Sequence, residues 1–195
     1  MKRNIFILLI VLFILAISNL ILFAEEAKYD FRKTNWGMSK EQVKATEDKK
    51  PDFETDTAFG YWVKISGKNF RCFYSFLEDK LYIGGYTSVE KHTNKNLYID
   101  DYEEVKEALT KKYGKPKTDK VMWENDLYKS DKQDWGLAIS IGHLVYAASW
   151  ETSTTKINLM LSGDNYKINL DLFYTSKELE EWAKEIKEKE TSKGF

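Results

Sequence analysis

The chain is poor in the residues that form cross-links and the commonest catalytic centres. Cys72 is its only cysteine, so no disulfide can form within one chain. Its only histidines are His92 and His143, which leaves few bases for a hydrolytic triad. The sequence also contains no Asn-x-Ser/Thr acceptor, phosphate-binding glycine loop or EF-hand motif. Stability must therefore come from packing, for which an aromatic content of 15% is well suited.

The N-terminal segment has the order of a secretory signal peptide. Lys2 and Arg3 precede a long apolar stretch, which ends at Ala24 before the acidic pair Glu25-Glu26. We predict cleavage after Ala24 and a secreted or periplasmic location. The alternative is an uncleaved anchor, which would be the only contact with a membrane. No cysteine lies near the cut, which disfavours a lipoprotein.

The remaining residues, 25–195, are expected to form a single domain with its own core. Loss of residues 1–24 leaves 28 basic and 31 acidic side chains, a net charge of about −3. A nucleic-acid partner is not expected, because such proteins carry a basic stripe.

Helix starts are marked by capping patterns, in which a polar side chain and a Glu or Gln three residues later bind each other's backbone N–H groups. They predict helices starting at Ser39 with Gln42, at Asp100 or Asp101, and at Thr175 with Glu178. The first helix should end near residues 48–50, and the second carries an apolar stripe of Tyr102, Val105, Leu109 and Tyr113.

Strands are predicted from alternation of apolar and polar residues between turn signals. After a strand at 59–65, a hairpin at 70–88 turning at Glu78-Asp79 should pair Phe76 with Leu81 and Tyr74 with Ile83. Gly84-Gly85 inside this hairpin indicates a bulge or close backbone approach. Later strands are predicted at 121–123, at 135–141 and 144–150 around Gly142-His143, and on either side of the turn at 163–165.

This order predicts an α+β fold, with a mainly antiparallel meander sheet and short helices packed on one face. Trp36-Gly37 and Trp135-Gly136 raise the further hypothesis of two diverged helix-then-meander halves.

Three short landmarks resemble a family of small exported bacterial proteins of unassigned function. They are the FR-x3-WG-M-S opening at residues 31–39, the KYGKP stretch at 112–116, and the strand pattern from Trp150 to Leu161. A short helix followed by a meander is also similar to small outer-membrane assembly lipoproteins of the SmpA/OmlA type and to β-lactamase-inhibitor-protein-like folds. The similarity to these lipoproteins and inhibitor folds implies binding rather than catalysis, although the lipidation cysteine of the lipoproteins is missing here.

The histidines, the cysteine and the acidic cluster near residue 100 fit structural roles. His92 falls in a polar loop and is expected to be exposed, His143 lies in a turn or on a strand face, and Cys72 is interpreted as a small buried hydrophobe. The acids around Asp100 fit a helix N-terminus better than a metal site. No cofactor and no metal are expected.

Aromatic residues on the strands provide the functional hint, although each is also suited to filling the core. The candidate binding surface comprises Trp62, Tyr82, Tyr86, Trp135, Tyr146 and Trp150. Our leading hypothesis is an exported non-enzymatic domain that binds an envelope or secreted protein. The alternative is a cell-wall glycan-binding domain or a carboxylate-based enzyme that acts on such a glycan.

Overall fold

The computed structural model describes residues 29–193. The predicted signal peptide and its cleavage site after Ala24 lie outside these residues. No helix in the described range is long and apolar enough to cross a bilayer.

The described chain contains four helices and eight strands. The helices are α1 (Lys40–Lys44), α2 (Leu97–Tyr113), α3 (Trp135–Ser140) and α4 (Lys177–Lys193). The strands are β1 (Phe53–Glu54), β2 (Ala58–Ile65), β3 (Lys68–Leu77), β4 (Lys80–Ser88), β5 (Thr118–Trp123), β6 (Leu144–Glu151), β7 (Thr155–Asp164) and β8 (Lys167–Ser176). Two short 3-10 turns, Asp126–Tyr128 and Lys132–Asp134, lie between β5 and α3.

The strands form one open antiparallel sheet in the order β1-β2-β3-β4-β8-β7-β6-β5. Two meanders, β2 to β4 and β5 to β8, join where residues 83–87 of β4 pair with residues 171–175 of β8. The prediction of an α+β fold with an antiparallel sheet is confirmed.

Three tight turns connect neighbouring strands. Ser66-Gly67, Glu78-Asp79 and Asn165-Tyr166 each place two consecutive residues at positive φ, as two-residue hairpin turns require. The predicted turn at Glu78-Asp79 is confirmed. The last turn falls at Asn165-Tyr166, and it pairs Leu161 with Leu170 as the alternation of apolar residues requires.

The core lies on one face of the sheet. Rows of buried side chains run across neighbouring strands in register, and one such row is Phe59, Tyr74, Gly84, Tyr174, Ile157 and Trp150. Helices α1, α2 and α3 cover this face and supply Val43, Tyr102 and Ile139 to the core cluster.

Helix α4 contacts the other side of the sheet. Its Glu180 pairs with Lys156, and its Lys177 pairs with Glu151. Both partners alternate with the buried residues Ile157 and Trp150, so they point away from the core. The expectation that helices pack on one face therefore describes α1 to α3 but not α4.

A bulge changes the predicted register of the β3–β4 hairpin. Phe76 pairs with Leu81 as predicted, but Ser75 pairs with Ile83, and Tyr74 lies opposite Gly84. The predicted pairing of Tyr74 with Ile83 is therefore wrong. Tyr82 is the extra residue, and its insertion brings Gly84 to the core face.

The bulge matters because Phe31 occupies the space above Gly84. A Cβ atom at position 84 would overlap the Phe31 ring. This ring is 3% exposed, and its centroid lies 5.1–5.4 Å from those of Tyr74, Tyr86 and Tyr174. Of the two alternatives predicted from Gly84-Gly85, the bulge is found, at Tyr82, and the group that approaches Gly84 is a side chain.

The predicted strand at 135–141 is wrong, because residues 135–140 form helix α3. Short apolar runs fit either structure, and tertiary contacts decide here. The side chain of Asn96 accepts a hydrogen bond from the backbone N–H of Gly136 at 2.6 Å. The helix backbone at Ile139 lies directly on Gly163 of β7, where a Cβ would overlap the Ile139 carbonyl oxygen.

The helix termini agree in part with the prediction. The capping box of Ser39 and Gln42 is confirmed, but α1 ends at Lys44, before the predicted end. Helix α2 begins at Leu97 rather than at Asp100 or Asp101. Ser176, not Thr175, caps α4 by accepting from the Leu179 N–H, because β8 continues through Ser176.

The packing of Phe31 yields a stability prediction. Phe31→Ala should lower the free energy of unfolding by about 3–5 kcal/mol, because it leaves a cavity above Gly84. Urea denaturation followed by circular dichroism measures this change. Leu127→Ala is the control, since Leu127 is 68% exposed and its loss should change stability by less than about 0.5 kcal/mol. Equal effects of the two substitutions would contradict this account of the N-terminal packing.

Candidate functional site

Three of the six predicted binding residues lie on the core face. Tyr146 and Trp150 are 4% and 2% exposed, because alternate residues of β6 face the core. The indole N–H of Trp150 donates to the Gly114 carbonyl at 2.9 Å. Tyr86 contacts Phe31 and Phe70. Tyr146 and Trp150 therefore fill the core and present almost no side-chain surface to solvent.

The other three predicted residues lie apart from one another. Trp135 begins α3 and packs edge-on against Trp123, with ring centroids 5.7 Å apart. Tyr82 is half-buried at the bulge of β4. Trp62 is 54% exposed on β2, so it alone of the six presents a mostly solvent-exposed aromatic side chain.

Trp62 belongs to the side of the sheet opposite the core, which we call the open face; α4 contacts this side toward its other end, at Glu151 and Lys156. One row across this face runs from Trp62 through Arg71, Thr87 and Asp171 to Met160, which is 38% exposed. A neighbouring row holds Phe73 and Phe173, on either side of Gly85. Both rows alternate with the buried rows of the core.

Glycines allow rings to lie against the sheet on this face. A Cβ at Gly60 would overlap the Phe53 ring, whose centroid is 6.2 Å from that of Trp62. The guanidinium carbon of Arg71 lies 5.7 Å from the Phe53 centroid, within cation–π range. A Cβ at Gly85 would likewise clash with Phe73. Phe53, Trp62 and Phe73 thus form what we call the aromatic platform, with Arg71 at its centre.

Asp171 brings an acid into the same row. Burial raises the pKa of its carboxyl, while a hydrogen bond from Thr87 and the charge of Arg71 act in the opposite direction. The row thus combines an indole, a guanidinium, a carboxyl and a thioether within one strip of sheet.

The core side of the sheet carries a cleft between α2 and the strands, which we call the helix cleft. It has a volume of about 240 Å³ and lies over the seam where β4 meets β8. Leu159, Leu170 and Leu172 lie among its apolar lining residues. The remainder of the lining comprises Ile65, Ser66, Lys68, Phe70, Tyr86, Glu104, Val105, Ala108, Leu109, Lys112 and Tyr174.

A polar cluster that is buried at Glu47 and Tyr74 but exposed at Arg32 lies next to Tyr86. Arg32 donates to both carboxylate oxygens of Glu47, with Nε–Oε1 at 2.9 Å and Nη2–Oε2 at 3.1 Å. The Tyr74 hydroxyl donates to the same carboxylate. The side chain of Glu47 is 8% exposed, so these donors replace the water contacts that its carboxylate has lost. Sequence reasoning missed this pair, because fifteen residues separate its members.

Cys72 lies fully buried beside this cluster, as its interpretation as a small hydrophobe predicts. Burial raises the pKa of its thiol to about 12 despite the nearby charge of Arg32. Near neutral pH the sulfur therefore remains a thiol, and the thiolate that nucleophilic catalysis needs is not formed.

His92 is more enclosed than predicted. Its side chain is 19% exposed, and its Nε2 lies 2.6 Å from Oδ2 of Asp101. Asp101 is 4% exposed and also pairs with Lys68 Nζ at 2.9 Å, so it does not cap α2. This network holds the loop before α2 against β3 and the helix. His143 follows Gly142 in a turn, which is the first of the two positions predicted for it.

Comparison of the chain with protein-family models, with curated proteins and with solved structures finds no match in any of the three. Among the residues that the structure describes, no three His, Cys, Asp or Glu side chains are grouped so that they could hold a metal ion.

The raised thiol pKa predicts a specific pH dependence of stability. Below about pH 9 the folded and unfolded states both keep the Cys72 proton, so the thiol adds no pH dependence. Above that pH the unfolded chain loses the proton while the folded chain keeps it until about pH 12. The free energy of unfolding should therefore fall by about 1.4 kcal/mol per pH unit on account of this group.

Cys72→Ala removes this contribution while leaving the tyrosines, which also titrate in alkali. Urea unfolding between about pH 9 and 11 should give a shallower decline for Cys72→Ala than for the parent chain. Parallel declines would show that the thiol ionises equally in both states, against its observed burial.

Proposed function

We propose that this protein is an exported domain that binds an envelope or secreted protein through its open face. Four residues of this face, Trp62, Phe73, Met160 and Arg71, are of types enriched at protein interfaces. Export is part of the proposal and derives from the N-terminal sequence alone. The partner is expected to present an apolar patch to the aromatic platform and an acid within reach of Arg71.

The exposure of Trp62 is the observation that carries this proposal. An indole that is 54% exposed next to Phe53 and Arg71 leaves a large apolar area in water. Covering that area by a partner removes it from water at roughly 25 cal/mol per Å². The neighbouring Phe53 limits the conformational freedom of the indole, which reduces the entropy lost on binding.

As part of this proposal, the chain consists of two diverged halves, each a helix followed by a meander. The first half would be α1 with β2 to β4, and the second, about 60 residues later, would be α2 with β5 to β8. Support comes from the mirrored strand order on each side of the β4–β8 seam and from a Trp-Gly pair in each half. This arrangement would accord with the proposed likeness to SmpA/OmlA-type proteins and β-lactamase-inhibitor-protein-like folds.

Glycan binding is the second candidate, because the same indole and its polar neighbours are chemically suited to stacking on sugar rings. Asp52 accepts from the Trp62 backbone N–H at 2.7 Å and pairs with Lys49, which brings two charged groups to the edge of the platform. Cell-wall glycan would then be the ligand.

The test is affinity capture followed by measurement with the purified ligand. The protein, isolated as its host produces it, is immobilised and exposed to envelope and secreted fractions of the source cells. The proposal predicts one protein retained in near-equal amount. Trp62→Ala should then weaken its binding at least ten-fold, or about 1.4 kcal/mol, in calorimetry.

Tyr166→Asn is the matched control. It removes another exposed aromatic side chain, 69% exposed, at a turn position whose positive φ suits asparagine. Its affinity should equal that of the parent. Retention of wall glycan without protein would support the second candidate, and protein binding that is unchanged in Trp62→Ala would contradict the proposed surface.

A further inference from the structure

We propose that the helix cleft binds the hydrocarbon chain of a medium-chain carboxylate, with the ligand's carboxylate at Lys112. This site lies on the core side of the sheet, away from the open face. A test that contradicts one of the two proposals therefore leaves the other unaffected.

The size and lining of the cleft select the hydrocarbon. An apolar cavity of about 150 Å³ accommodates benzene, and in the same proportion 240 Å³ accommodates roughly ten carbon atoms. Leucines at 159, 170 and 172 supply the sheet side, and Val105 and Leu109 supply the helix side. A straight alkyl chain fits a cleft bounded by a helix and a sheet.

The two tyrosine hydroxyls at the cleft do not call for a polar ligand. The Tyr86 hydroxyl lies near Arg32, and the Tyr174 hydroxyl lies near Tyr113. Because each hydroxyl already has a polar protein group beside it, each ring adds apolar surface to the lining. A ligand rich in hydroxyl groups would find few unsatisfied partners among these residues.

The charges around the cleft select an anionic head group. Lys68 lies between Asp101 and Glu104 and pairs with both, so its charge is already balanced. Within the described residues, no carboxylate comes within 4.0 Å of the Lys112 ammonium. Lys112 Nζ instead lies 4.9 Å from the Tyr113 ring centroid. An ammonium with only an aromatic ring beside it is suited to a ligand carboxylate.

Lys111, the neighbour of Lys112 in the sequence, has different surroundings. Lys111 pairs with Glu107 at 2.7 Å on the solvent side of α2, and neither residue lines the cleft. Lys111→Gln therefore removes the same charge from the same helix without touching the proposed site. It is the matched control for Lys112→Gln.

The experiment is isothermal titration calorimetry of the isolated protein with decanoate and with 1-decanol. Decanoate should bind at one site. Lys112→Gln should weaken decanoate about five-fold, as expected for an exposed ion pair, and leave 1-decanol unchanged. Lys111→Gln should match the parent with both ligands.

Ala108→Trp tests the location of the chain. Ala108 is an exposed residue of the cleft lining, so a larger side chain there obstructs the cleft without altering the buried core. It should abolish binding of both ligands, while its urea unfolding midpoint stays at the parent value.

Three results would overturn the proposal. They are no binding of decanoate by the parent, decanoate binding that survives in Ala108→Trp, and equal losses in Lys112→Gln and Lys111→Gln. Binding of 1-decanol as tight as that of decanoate would overturn the assignment of the carboxylate to Lys112. Since Lys112→Gln alters an exposed residue, the test does not depend on whether Ala108→Trp folds.

Discussion

The ion pair between Arg32 and Glu47, which Tyr74 of strand β3 joins through its hydroxyl, ties the first residues of the described chain to the sheet. Three donor groups, two from Arg32 and one from Tyr74, converge on a carboxylate that is almost removed from water. A charge in that position would be costly without them. Arg32 has a φ of 53°, a left-handed conformation that residues with a side chain seldom adopt, and the bidentate pairing offsets that strain.

The register of the sheet follows from this anchor. Holding Arg32 also places Phe31 over strand β4, where only a glycine leaves room for the ring. Gly84 reaches that position through the bulge at Tyr82, and the same register pairs Gly84 with Tyr174 of β8. The seam between the two meanders is thus set by a contact near the start of the described chain. On one side of this seam lies the helix cleft, and on the other side lies the aromatic platform of the open face.

Local patterns in the sequence predict local structure well and long-range choices poorly. The Ser39 capping box and the hairpin turn at Glu78-Asp79 depend on neighbours within a few residues, so both are found in the sequence. Helix α3 was missed because Asn96, forty residues earlier, helps to decide between helix and strand. The one-residue shift after Tyr82 was missed because the ring that requires it comes from Phe31.

The candidate sites were predicted less completely than the fold. Trp62 could be selected as an aromatic residue on a strand, but alternation alone does not reveal which side of a sheet is covered. Tyr146 and Trp150 match the same pattern and fill the core. The Arg32–Glu47 pair has one faint sequence signal, the arginine of the FR-x3-WG-M-S opening, and the helix cleft has none. Lys111 and Lys112 are adjacent and identical in type, and only the orientation of α2 separates their surroundings.

A double-mutant cycle on Arg32 and Glu47 tests most directly whether this pair anchors the fold. The free energy of unfolding is measured for the parent, Arg32→Gln, Glu47→Gln and the double variant. We expect each single substitution to cost about 3 kcal/mol and the double variant little more than either, a coupling of about 2 kcal/mol or greater. Costs that simply add would show that the two charges act independently and would contradict the central role assigned to their contact.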